Sequence, residues 1–244
     1  MKIYCKTDTG KTRDVNQDAY LAHILDEDTA FAVVCDGMGG AKAGNIASTL
    51  AAKTIYDYVL RSWQSDMNDT QIKNLLCSAV MSANVEVYDA AQRDEELNGM
   101  GTTVVVTIMN NDFAYIVHVG DSRAYLLRDD LLSQITIDHS MVQKMIESGE
   151  LTAEEARLHP KKNVITRALG VDENVNIDYN ELSCNKDDII LICTDGLSNM
   201  LENHEIVNII LNKKLENAAE ALVSEANEKG GIDNITAVLI SNIK

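Results

Sequence analysis

The chain has 244 residues, 45% of them apolar, and a formal net charge of −17. It is long enough to bury a sizeable core, and its negative balance argues against nucleic acid and anionic membrane surfaces as partners. No apolar run approaches the ~20 residues of a membrane span, the N-terminus has no signal-peptide core, and five scattered cysteines (5, 35, 77, 184 and 193) without a CxxC suit a reducing compartment, so the cytoplasm is the expected location.

Taken in order, Ile3 to Thr7 reads as a first strand, and Thr9 to Asp18 is polar and carries Arg13, Asn16 and Asp18 close together. Ala19–Leu25 and the apolar run Phe31–Cys35 read as a hairpin closed by the acidic turn Asp26-Glu27-Asp28. A helix is expected from about Ala43 to Arg61, with Ile46, Ala47, Leu50, Ala51, Ile55, Tyr58 and Val59 on one face. After a polar link, a second helix capped near Asp69 runs to about Arg93, with Ile72, Leu75, Leu76, Ala79, Val80, Ala83 and Val87 on its apolar face. The period then changes to that of strands. Thr102–Met109, Phe113–Val119 and Ala124–Leu127 read as three antiparallel strands, separated by Asn110-Asn111-Asp112 and a Gly120 corner. A short helix ending near Ser148 precedes a polar, irregular region, 149–170, that holds the only proline, Pro160. Strands near Val175–Leu182 and Asp188–Thr194, helices near Asn203–Leu211 and Leu215–Glu228, and a last strand Ile235–Ser241 complete the chain. Strand-rich segments alternate with paired helices rather than following a βαβα rhythm, so the expected class is α+β with antiparallel sheet in one domain spanning 1–244.

The chemistry concentrates at glycine corners. The Phe31 strand runs into Asp36-Gly37, and four of the eight residues from 37 to 44 are glycine. Asp195-Gly196 follows the apolar run Ile189–Cys193, Gly120-Asp121 follows Ala114–Val119, and Gly230–Asn234 precedes the last strand. A carboxylate at a rigid strand end, followed by residues without Cβ, lets backbone come close to whatever the carboxylate holds. Each Asp alone is an ordinary turn residue, and Arg13 alone an ordinary surface ion pair. Five acidic positions together (Asp18, Asp36, Asp121, Asp195, Asp233) would repel one another and raise each other's pKa. If they meet in space, a divalent cation resolves the conflict, and all-oxygen ligation favours Mg²⁺ or Mn²⁺ over zinc. Arg13 offers a planar fork suited to phosphate oxygens. The glycine run fits neither GxxxxGK[ST] nor GxGxxG, and no HExxH, GxSxG or Cys-x5-Arg is present. His23 and His118 fall in strands and His204 at a helix start, none placed as a metal ligand.

Arg13-x2-Asn16-Gln17-Asp18, Asp36-Gly37-Met38-Gly39-Gly40, Gly101-Thr102-Thr103, Gly120-Asp121-Ser122-Arg123, Asp138-His139-Ser140, His159-Pro160 with Asn163, Thr166-Arg167 and Leu169-Gly170, Thr194-Asp195-Gly196-Leu197 and Asp233-Asn234-Ile235-Thr236 follow one another in that order. This set resembles the PPM, or type 2C, family of metal-dependent protein serine/threonine phosphatases, in a length similar to its stand-alone bacterial branch. The resemblance implies a central antiparallel β-sandwich flanked on both faces by paired helices. It implies that Asp36 bridges two Mn²⁺ or Mg²⁺ ions, that the Gly37 carbonyl completes the first, that Asp195 and Asp233 bind the second, and that Asp18 supports the shell. Asp121 with Asp195 matches a third metal position, and Arg13 matches the residue that holds the substrate phosphate. Region 149–170 corresponds to a flap beside the site. The implied reaction is attack of a metal-bridging hydroxide on phosphoserine or phosphothreonine, with Asp36, Asp195 and Arg13 catalytic and no covalent enzyme intermediate. The implied partners are phosphoproteins and a cognate serine/threonine kinase, and a monomer is expected.

Two positions depart from the family. Many members have histidine directly after Gly-Gly as the acid for the leaving alkoxide, where this chain has Ala41 and then Lys42. Either a coordinated water, or Lys42 or another group, would then supply that proton. Gln17 stands where some members carry an acid. An inactive relative kept as a scaffold would be expected to lose metal aspartates, and a phosphatase dedicated to one regulatory phosphoprotein would keep them all.

Overall fold

The computed structural model describes residues 1–40 and 43–242. Its apolar runs form two antiparallel sheets. The first has the order β1 (Lys2–Asp8), β11 (Ile235–Ser241), β10 (Ile189–Cys193), β7 (Arg123–Arg128), β8 (Leu131–Gln134). The second has the order β2 (Asp18–Asp26), β3 (Thr29–Met38), β5 (Val104–Met109), β6 (Phe113–Val119), β9 (Asp178–Ser183), with the two-residue β4 (Gly101–Thr102) added to the end of β3. Strands buried on both faces read as continuous apolar runs, and β5, β10 and β11 are buried along their whole lengths.

Period-2 alternation sorts those side chains into an inner and an outer set. Val34, Val105 and Ile116 of the second sheet meet Leu126, Ile190, Ile192, Val238 and Ile240 of the first in the core between the sheets. The opposite faces take the helices. Phe31, Val33, Val104, Val106 and Val117 pack against α1 (Ala43–Ser62) and α2 (Asp69–Arg93). Tyr125, Leu191, Ala237 and Leu239 pack against α6 (Asn203–Asn212) and α7 (Leu215–Glu228). Each large apolar side chain removed from water contributes ~1.5–3 kcal/mol, so three stacked apolar layers hold a four-layer helix–sheet–sheet–helix body. This is the expected class. No helix of the described residues is long and apolar enough to cross a membrane.

Differences from the sequence reading are local. The cap expected near Asp69 is Asn68: its side chain accepts from the Gln71 N–H at 3.0 Å while Gln71 Oε1 accepts from the Asn68 N–H at 2.9 Å. Ile46, expected on the buried face of α1, is 40% exposed, because the stripe facing the sheet runs through Ala47, Ala51, Ile55 and Val59. The three strands expected as one set are divided: β5 and β6 pair in the second sheet, and β7 lies in the first. The chain changes sheets at Gly120, whose φ of +109° suits a residue without Cβ. Region 149–170 holds a helix, α4 (Ala153–Leu158), started by a Thr152–Glu155 capping box. The short helix expected to end near Ser148 is α3 (Met141–Glu147), and the strand β8 and a four-residue helix α5 (Asp195–Ser198) add to the elements that periodicity marks.

Candidate metal centre

Antiparallel register brings the acidic corners to one end of the body. Asp18 lies opposite Asp36 across β2 and β3. Cys193, the last residue of β10, pairs with Arg123 at the start of β7 and Ala237 near the start of β11. Asp121 precedes β7, Asp195 follows β10 and Asp233 precedes β11, so they share that end. Asp36, Gly37, Asp121, Asp195, Asp233 and Arg13 all line one cavity of about 240 Å³, joined by Asn163 from region 149–170. An added Cβ at Gly37 would sit 2.0 Å from the Gly44 carbonyl oxygen, so the turn beside Asp36 tolerates only glycine.

Each carboxylate is held by its own supports. The Asp36 N–H donates to Thr103 Oγ1 at 3.0 Å, and its carbonyl accepts from the Thr103 N–H and Thr102 Oγ1, both at 2.9 Å. Asp18 lies behind the cavity: its Oδ2 accepts from Thr194 Oγ1 (2.9 Å) and Thr236 Oγ1 (2.7 Å), while its Oδ1 is buried without a protein partner. Asn199 Nδ2, one helical turn on from Asp195, donates to Asp195 Oδ2 at 3.0 Å. Asn234 organises the loop that carries Arg13, donating to the carbonyls of Thr9 (2.8 Å) and Val15 (3.0 Å) and accepting from the Gln17 N–H (2.8 Å). Arg13, expected to meet a phosphate, donates here to Asp233 Oδ2 at 2.9 Å from a half-exposed position. Ala41 and Lys42, on which the expectation about the leaving-group acid rests, lie outside the described residues.

The electrostatics follow from that crowding. Burial, followed by repulsion from Asp18, Asp195 and Asp121, pushes the Asp36 carboxyl well above the ordinary carboxylate range. Asp121 is pushed up to about 8, chiefly by burial and then by Asp195 and Asp138. Asp18 rises to about 7 through burial, against the opposing pull of its two threonine hydroxyls. Asp195 rises to about 6 through burial and the nearby Asp233. Such groups ionise together only if positive charge is supplied. An orphaned buried oxygen on Asp18, an all-oxygen donor set and a single nearby arginine fit hard divalent cations.

A second cluster differs in this respect. His118, His139 and Asp178 bring ligand atoms within 4.8 Å of one another. Yet Arg167 Nη1 donates to Asp178 Oδ1 at 2.5 Å and lies 3.0 Å from His139 Nε2, so a protein cation already fills it. Burial lowers the pKa of both histidines. His139 Nδ1 accepts from the Gly120 N–H at 3.0 Å and the His139 backbone N–H donates to the Gly120 carbonyl at 2.9 Å, so ring and backbone together hold the corner next to Asp121.

The roles of Thr103, Thr194, Thr236, Asn199 and Asn234 emerge only from the structure. Asn199 carried a usable signal, the i, i+4 spacing from Asp195. The threonines did not, since hydroxyls are common in strands.

The family profile described as protein phosphatase 2C matches residues 9–237. The serine/threonine phosphatase stp of Listeria innocua is 36% identical over 239 residues, covering 96% of this chain and 93% of the relative. The crystal structure of serine/threonine phosphatase Stp1 from Staphylococcus aureus superposes with a TM-score of 0.93 at 32% identity, covering 100% of this chain and 95% of that one. The catalytic domain of serine/threonine protein phosphatase PstP in complex with two manganese ions gives a TM-score of 0.86 at 30% identity, with coverage of 100% and 98%.

Proposed function

The chain belongs to the protein phosphatase 2C family and is a metal-dependent serine/threonine protein phosphatase, and on that premise we propose how its residues divide the work. Residues 1–244 act as one catalytic domain on phosphoserine and phosphothreonine proteins, in the cytoplasm, as a monomer opposing a serine/threonine kinase. Asp36, the Gly37 carbonyl, Asp195 and Asp233 hold two Mn²⁺ or Mg²⁺ ions, Asp18 supports them from behind through its free Oδ1, and Asp121 with Asp195 holds a third. When bound, such ions supply positive charge for phosphoryl oxygens and water activated near neutral pH.

The protein's own contribution is placement. Thr102 and Thr103 lock the Asp36 backbone, and Asn199 orients Asp195. Arg13 turns its fork from Asp233 to the substrate phosphate, on a loop whose position Asn234 sets. No thiol is available as a nucleophile: burial pushes Cys5 up to about 11 and Cys193 up to about 12, and no cysteine lines the cavity.

The observation that carries this reading is four carboxylates, Asp36, Asp121, Asp195 and Asp233, converging on one cavity with a single arginine, and a fifth, Asp18, buried behind them. An inactive scaffold is not favoured, because every expected acid is present. The test is turnover of para-nitrophenyl phosphate and of a phosphothreonine peptide with Mn²⁺ and with excess chelator. Activity on both substrates with metal only is expected; full turnover in chelator would refute the reading.

A further inference from the structure

Beside the catalytic cavity lies a second one of about 320 Å³, and the two share Asp121 and Asp195. The flap contributes consecutive residues to them: Asn163 lines the first and Lys162 the second. Two arginines also line the second groove, but both are already neutralised. Arg123 grips Asp138 with three hydrogen bonds of 2.9, 3.1 and 2.7 Å, and Arg157 donates to Glu202 at 2.5 Å. Lys162 is half-buried, and among the described residues no hydrogen bond or ion pair reaches its ammonium. In a chain of net charge −17, this is a cation without an ion-pair partner on the wall of a groove that adjoins the catalytic cavity.

We propose that this groove is a substrate subsite in which Lys162 receives an acidic side chain flanking the phosphorylated residue. The inference rests on the protein-phosphatase reading above. An extended peptide advances about 3.3 Å per residue, and the two cavities adjoin, so the acidic residue lies within two positions of the phosphoserine or phosphothreonine. The remaining wall suits a carboxylate held at its edge: Asn203 offers an amide, and Val142 and Ile146 offer an apolar floor for the stem. Asp121 and Asp195 at the shared end would repel a carboxylate, which places it at the flap end, beside Lys162. The basic and the neutral flanking residue gain nothing there.

The experiment compares phosphothreonine peptides carrying Asp, Asn or Lys at positions −2, −1, +1 or +2, with Mn²⁺, on wild type, Lys162→Met and Lys162→Glu. The readout is the kcat/KM ratio of the Asp to the Lys peptide within each protein, so differences in total activity cancel. Wild type should favour Asp at one of these positions by about 2- to 5-fold, the range of a partly exposed ion pair, and less at high salt. The ratio should fall near one in Lys162→Met and invert in Lys162→Glu. If Lys162→Glu fails to fold, Lys162→Met decides alone. A wild-type ratio near one at all four positions, or a preference unchanged in both variants, overturns the subsite. Wild type that cleaves an aryl phosphate but none of the peptides overturns the protein-phosphatase reading and the subsite with it.

Discussion

Two sets of buried or half-buried carboxylates solve the same problem in opposite ways. Asp188, 2% exposed, receives Arg128 through bonds of 3.0, 3.2 and 2.6 Å and the Asn185 N–H at 2.7 Å. Asp138 receives Arg123 and Gln134, and Asp178 receives Arg167. At the end of the sandwich, Asp18, Asp36, Asp121, Asp195 and Asp233 share hydroxyls, amides and one half-exposed arginine. The first set is complete as folded. The second is short of positive charge, and its pKa values show it: burial lifts Asp178 but Arg167 and His139 outweigh that and hold it below the usual range, whereas Asp18, Asp121 and Asp195 stand at about 7, 8 and 6. The difference teaches where the fold is self-sufficient and where it waits for an external cation.

The largest expected effects come from exchanging charge for a neutral amide in each set. Asp36→Asn or Asp195→Asn should cut Mn²⁺-dependent turnover by about 10³-fold or more, since charge for the metal and placement of the reacting group are lost together. In chelator the same variants should melt at or above the wild-type temperature, because one repelling carboxylate is gone. Asp188→Ala should do the reverse: it leaves Arg128 without its carboxylate and should destabilise the fold by about 3–5 kcal/mol, read by urea unfolding, with metal-dependent activity per folded molecule retained. Equal destabilisation by Asp195→Asn and Asp188→Ala would erase the distinction between the two sets. Smaller still, Arg13→Ala should weaken phosphopeptide capture by about 1.5–3 kcal/mol, the range for hydrogen bonds to charged groups. That appears as a raised KM with a lesser fall in kcat, and loss of Mn²⁺ binding with unchanged KM would instead make Arg13 a structural partner of Asp233.

Legibility in the sequence followed the range of the interactions. The β2–β3 hairpin, the helix from Asp69 to Arg93 and the last strand were readable because their signals are local: a turn between apolar runs, a capping residue, a period. The Thr152–Glu155 capping box is equally local, but the polar stretch around it hides the short helix it starts. That β7 leaves the sheet of β5 and β6 was not readable, since alternation marks a strand without saying which sheet receives it. At the site, the acids were legible as carboxylates at glycine corners. The side chains that hold them were not, because Thr194 and Thr236 meet Asp18 across 176 and 218 residues of chain. Nor does anything local to Arg13 announce its pairing with Asp233, 220 residues away.

The central claim is that the acidic end is unstable in charge without metal, and thermal unfolding between about pH 5 and 8.5, in chelator and in Mn²⁺, tests it directly. A carboxyl whose folded pKa is raised stabilises the fold while protonated. That contribution is full below the unfolded value of ~3.9 and is lost as pH rises through about 6, 7 and 8, the positions of Asp195, Asp18 and Asp121. In chelator the melting temperature should therefore fall across this window, less steeply in Asp195→Asn, which separates the cluster from the general repulsion of an acidic chain. In Mn²⁺ it should rise with pH, because in the proposed assignment the ionised carboxylates are the ligands and bound metal stabilises only the folded state. A chelator curve that is flat or rises with pH, with no separation from the Mn²⁺ curve above pH 7, would contradict the account.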